Sequence, residues 1–112
     1  MVRAAAAAAA EPPLLRSDHR RASAAGVQRR AVERLGAYPP QARRASSVRV
    51  LRQALGFTVS VIVAATGDFA LLEGMAASGD PDLVWVAREN LKKARLRRWP
   101  ARLDHVRALL AT

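Results

Sequence analysis

The chain has 112 residues, no cysteine and a net charge of +10. That length holds one modest core, and the missing cysteine excludes disulfides, thiolate metal ligands and thiol nucleophiles. Arginine carries the charge almost alone, 17 against 2 lysines. Such a balance suits polyanions. Alanine and arginine are in excess together, however, as a GC-rich coding sequence produces, so charge by itself does not assign a nucleic-acid partner.

The opening MVRAAAAAAAEPP imitates a signal peptide. Alanine is weakly apolar for the central stretch of one, and the run stops at Glu11. Val2 to Ala10 has high helix propensity, ended by Pro12 and Pro13. A helix this short is marginal alone, so residues 1–16 read as a partial repeat helix or a flexible tail, with residues 17–112 as the domain. The longest mostly apolar run, Ala54 to Thr66, falls short of the ~20 residues a bilayer span needs. A soluble, cytoplasmic protein is expected, with no membrane partner.

Ser17 or Asp18 is suited to cap a helix reaching about Leu35, with Gly36 as its stop. Ala24, Gln28, Ala31 and Leu35 share one side with Val32, and the i,i+4 pair Arg29–Glu33 marks the wet side. Tyr38-Pro39-Pro40 breaks the chain, and Gln41 to Ala45 is a polar basic connector. From Ser46 or Ser47, as caps, the stripe Val48, Leu51, Leu55, Val59 and Ile62 predicts a buried helix. Thr58 to Val63 is β-branched enough for a strand, but the stripe crosses it without a phase break. Gly56 would admit a close neighbour. Thr66-Gly67-Asp68 is a capped turn, and Phe69, Leu72, Met75 and Ala76 predict a short helix closed by Ser78-Gly79.

Asp80 to Arg98 is the stretch around which the rest is expected to assemble. Asp80 suits the N-cap, Pro81 the first helical position, and Asp82 the positive end of the helix dipole. Leu83, Val84, Ala87, Leu91 and Ala94 form the apolar stripe of a single helix over 80–98, with Glu89 and Lys93 paired at i,i+4. Beyond Trp99-Pro100, Leu103, Val106, Leu109 and Leu110 predict a last short helix.

Antiparallel helix pairs that cannot bury their own faces are the pattern of an α-solenoid. Phe69 to Arg97 resembles a HEAT repeat, with Asp80, Asp82, Val84 and Arg88 on positions of that family's turn and second helix. The family usually has Arg directly after the Val; here Trp85 stands there. VRVLRQALGFTVSVIVAA (Val48 to Ala65) followed by WVARENLKKARL is similar to the C-terminal end of HEAT-repeat proteins of high-GC bacteria. VRAAAAAAAEPPLL resembles the second helix of an earlier repeat. The resemblance implies an all-α fold of stacked antiparallel pairs, about two and a half repeats, that binds partners and carries no catalytic residues.

Candidate sites are few. His19 and His105 are the only histidines and read as surface residues; Asp104 adjoins His105, but neighbouring helical residues point apart. No phosphate-binding glycine loop is present, and no cofactor or metal is expected. Arg-Arg-Ala-Ser occurs at Arg20–Ser23 and Arg43–Ser46, resembling a basic-directed kinase site that chance explains as well in such a composition. The best binding candidates are Arg88, Lys92, Lys93, Arg95, Arg97 and Arg98, with Trp85 and Trp99 as anchors. Arg88, Lys92 and Arg95 would share one helical face, as phosphate contacts do; a solvated helix end matching its dipole explains them too. The expected function is a non-catalytic scaffold or adaptor for a protein partner, with self-association through an open N-terminal face as a corollary. The alternative is nucleic-acid binding through Arg88–Arg98. DNA alkylation repair glycosylases use HEAT-like stacks, a resemblance at fold level only.

Overall fold

A computed structural model describes residues 18–111; the expectations for residues 1–16 lie outside them. Among the described residues 83% are helical, in five helices and no strand, so the chain is all-α. The helices are α1 (Asp18–Ala37), α2 (Ser46–Thr66), α3 (Ala70–Ala77), α4 (Pro81–Leu91) and α5 (Pro100–Ala111). Short 3-10 turns at Pro40–Ala42 and Ala94–Leu96 shape two of the connections.

The expected stripe of α2 is the centre of the core: Val48, Leu51, Leu55, Val59 and Ile62 are all buried. α1 lays Ala24, Gln28, Ala31, Val32 and Leu35 against it, and all five are buried. Polar chemistry on that seam is matched: buried Thr58 donates through Oγ1 to Gln28 Oε1 at 2.9 Å. α2 ends where Gly67 takes a left-handed φ of 70°, its N–H returning to the Val63 carbonyl at 2.7 Å. Asp68 Oδ1 then accepts from Ala70 N–H and opens α3, which buries Leu72, Met75 and Ala76 beside Phe69. The start of α2 differs from expectation. Ala45 occupies its N-cap position without a side-chain bond, and Ser46 and Ser47 are exposed.

α2 is also longer than the run from Ala54 suggested. Its 21 residues are long and apolar enough to cross a membrane by length and composition, which corrects the expectation that no segment reaches that size. Somewhat more than half of the stretch is buried within the fold, and a core helix meets the same criterion.

α4 packs on each of the other four helices. Asp80 caps it as expected, its carboxylate accepting from the N–H groups of Asp82 and Leu83. The helix does not run to Arg98, however. It stops at Leu91, Lys93 turns extended at ψ 128°, and the 3-10 turn carries the chain to Trp99. Hydrophobic phase explains the break. Continuing the turn of Val86, Ala87, Asn90 and Leu91 would place Leu96 and Trp99 on the side of Arg88 and Arg97 toward the core. The bend reverses this: Leu96 is fully buried, Arg97 is exposed, and Trp99 meets Phe69 edge-on at 5.6 Å.

The α2–α4 joint is keyed by Asn90. Its side chain is fully buried; Oδ1 accepts from Ser60 N–H at 2.7 Å, and Nδ2 donates to the Leu55 and Val86 carbonyls at 2.8 and 2.7 Å. One turn earlier, Gly56 meets the Trp85 ring as the expectation of a close neighbour had it: a Cβ there would lie 3.0 Å from the indole. Asn90→Leu strips the partners from groups that water cannot reach, at a cost of ~2–3 kcal/mol. For a domain of this size the thermal midpoint should drop by roughly 10 °C or more, read by circular dichroism.

Candidate functional site

The polar connector between α1 and α2 holds the most ordered charge cluster. Arg43 reaches across to the opening of α4. Nη1 donates to Asp80 Oδ1 and, at 3.0 Å, to Asp82 Oδ2; Nη2 donates to the Gly36 carbonyl at 3.1 Å and Nε to the Tyr38 carbonyl at 2.9 Å. Gly36, expected as a stop, lies within α1, and its carbonyl serves this bond. Arg52 adds Nε to Asp82 Oδ1 at 2.9 Å and stacks 3.8 Å above the Trp85 ring. One guanidinium thus closes the end of α1 onto the start of α4, and a second holds α2 to the same turn. This is structural chemistry: every guanidinium contact goes to a partner within the fold.

The eight expected binding residues do not form one stripe. With α4 ended at Leu91, Arg88, Lys92 and Arg95 no longer share a helical face, because the bend at Lys93 redirects the last of them. They sort into four places. Trp85 is committed to the joint between Arg52 and Gly56. Lys93 and Arg95 turn onto Phe57 of α2, their charged groups 5.5 and 4.8 Å from its ring centre. Arg88 and Lys92 stay on the far side of α4, bordering a hollow with Leu91, Arg107, Leu110 and Ala111. Lys92 pairs with Glu89 in place of the expected Glu89–Lys93 pair. Arg97 is exposed, and Arg98 lies 4.9 Å over Trp99, whose other neighbour is Phe69.

Phe57 was not among the candidates, and it is the largest apolar side chain left in the open. It is 49% exposed, and Val50, two turns back on the same helix, is 42% exposed. Val50, Ala54 and Phe57 run along the side of α2 opposite Arg52, Leu55, Gly56 and Val59, the side that receives α4. A shallow hollow lined by Arg49, Val50, Gln53 and Ala54 continues this strip. The signal was in the spacing: Val50 and Phe57 are seven apart and out of phase with the buried stripe.

Other groups carry less. His19 and His105 are both exposed, and Asp104 pairs with Arg107 rather than His105. Among the described residues no three His, Cys, Asp or Glu side chains gather as a metal site, and no buried side-chain nitrogen or oxygen lacks a partner. In the second Arg-Arg-Ala-Ser motif Arg43 is locked into the Asp80–Asp82 cluster, while Ser46 lies exposed in the first turn of α2. No protein-family model, curated protein or solved structure matches the chain.

The Arg43 contact gives a pH signature. Arg43, opposed by partial burial and helped by the Asp82 and Leu83 N–H groups, holds the Asp80 carboxyl below its ordinary value of 3.8. A carboxyl with a depressed folded pKa contributes its full stabilisation above the unfolded value. That contribution falls away as pH drops through 3.8 toward the lower folded value. Arg43→Gln should cost about 1–3 kcal/mol at neutral pH, with a narrower gap from the parent protein near pH 3. Urea unfolding at both pH values measures it, and equal gaps would detach the cluster from acid sensitivity.

Proposed function

We propose that the chain is a non-catalytic helical module that binds another protein, with Phe57 at the centre of its interface. The HEAT-like stack suggested by the sequence is part of this proposal. Two observations support it: alternate helices lie side by side, α2 with α4 and α3 with α5, and the fold is only 18 Å thick against 38 and 33 Å across. That thickness suits two helix layers, given interaxial distances of ~8–10 Å.

The observation that carries the proposal is the Phe57 strip. Single exposed apolar residues are ordinary on protein surfaces. Here Val50, Ala54 and Phe57 align along two turns, and two cations are drawn in over the aromatic ring. An aromatic flanked by Arg is the composition of interface hot spots, where the apolar body supplies buried area and the rim supplies orientation. The cations are divided among rings, carboxylates and separate faces, which fits a duplex backbone less well than an unbroken stripe would.

A photo-crosslinking residue at Gln53, beside the strip, tests this in native extract. A discrete protein adduct is expected, lost with Phe57→Ser, which should weaken partner binding tenfold or more while changing stability by less than about 1 kcal/mol. Labelled DNA or RNA held at physiological salt and released by charge reversal at Lys92, Lys93 and Arg95 would replace this function with nucleic-acid binding.

A further inference from the structure

α2 and α4 carry the same three residues at the same spacing: Val48, Arg52 and Leu55 recur 36 positions on as Val84, Arg88 and Leu91. On α2 this face is occupied. Arg52 donates to Asp82 in the first turn of α4, and Leu55 is fully buried beneath that helix. On α4 the matching face is only partly covered: Leu91 is buried and Val84 half-buried. Arg88 is exposed and makes no ion pair or ring contact among the described residues, and Leu91 borders the hollow completed by Lys92, Arg107, Leu110 and Ala111. The neighbouring cations are already used, Lys92 by Glu89 and Arg107 by Asp104. The unspent charge of the hollow belongs to Arg88.

We propose that this hollow seats a helix of another protein whose first turn is acidic, with Arg88 taking its carboxylate as Arg52 takes Asp82. Leu91 and Leu110 form the apolar floor, and the incoming helix would lie on α4 as α4 lies on α2. A second copy of the chain fits the seat poorly. Among its helices α2 to α5, α2 and α5 have no acid in the first turn, Glu73 of α3 lies 3.7 Å from Arg102, and Asp82 of α4 is already held by Arg43 and Arg52. The Phe57 strip of a second copy is cationic, with Lys93 and Arg95 over the ring, and would repel Arg88. The inference rests on the protein-binding function above but uses the opposite side of the α2–α4 joint.

The test is an anisotropy titration with a labelled helical peptide of about 18 residues, long enough to hold a helix, that opens Asp-Pro-Asp and carries a Leu/Val stripe. Saturable binding at physiological salt is expected. It should weaken at least tenfold with Arg88→Gln, and equally when the peptide's aspartates become asparagines, and should not respond to Phe57→Ser. No saturable binding, or binding indifferent to Arg88→Gln, overturns the proposal. Sensitivity to Phe57→Ser alone would overturn it while leaving the Phe57 interface standing. No adduct at Gln53 of the otherwise unsubstituted protein, with Arg88 dependence intact, would do the reverse.

Discussion

The side chain of Asn90 decides how this fold is put together. A buried amide has to find partners for its oxygen and its NH₂ group, and Asn90 finds them in the backbone of α2 and one turn back in its own helix. Those bonds fix α4 along α2 to a single register: a shift of one turn would bring an apolar or charged side chain against the Ser60 N–H. The remaining contacts of the joint follow from that register. Trp85 falls over Gly56, Arg52 falls over Trp85, and Asp82 comes within reach of Arg52. Arg43 then closes the end of α1 onto the same turn. The seam is polar at both ends and aromatic between them.

A seam built this way covers one side of each helix, and the other helices leave part of the rest exposed. On α2 the exposed part carries Val50, Ala54 and Phe57. On α4 it carries Arg88, with the hollow toward α5 beside it. The two exposed parts differ in chemistry. Phe57 offers an aromatic surface already attended by cations, whereas Arg88 offers an unspent charge above an apolar floor. They suit different occupants.

Much of the core could be read from periodicity. The stripe from Val48 to Ile62, the Asp80 cap, the short Phe69–Ala76 helix and the tight approach at Gly56 are local consequences of spacing and residue size. The contacts that hold the helices together could not be read in the same way. Arg43 looked like one more arginine in a basic connector, because its carboxylates lie far along the chain at Asp80 and Asp82. Asn90 carries no such sign, because what it satisfies is backbone, which leaves no sequence mark. The break after Leu91 was partly visible. The stripe ends at Ala94, while Leu96 and Trp99 fall out of phase, and the favourable cations at the helix end hid the conflict. The binding residues inherited that error, since their common face depended on the helix continuing.

The same contacts bear on what a net charge of +10 means for this chain. Charge counted from composition treats every arginine as available to a polyanion. In the fold, Arg43 and Arg52 are spent on aspartates, Arg95 and Arg98 on aromatic rings, and Arg102 lies 3.7 Å from Glu73. A guanidinium laid on an aromatic face keeps its charge and remains able to take a carboxylate at its edge, but its position is set by the ring. A protein partner can use a few such placed cations, each beside an apolar surface. A nucleic-acid backbone gains most from many cations along one track. On the function proposed above, these five placed arginines would suit a partner that presents isolated carboxylates next to apolar residues, and the total charge does not argue against it.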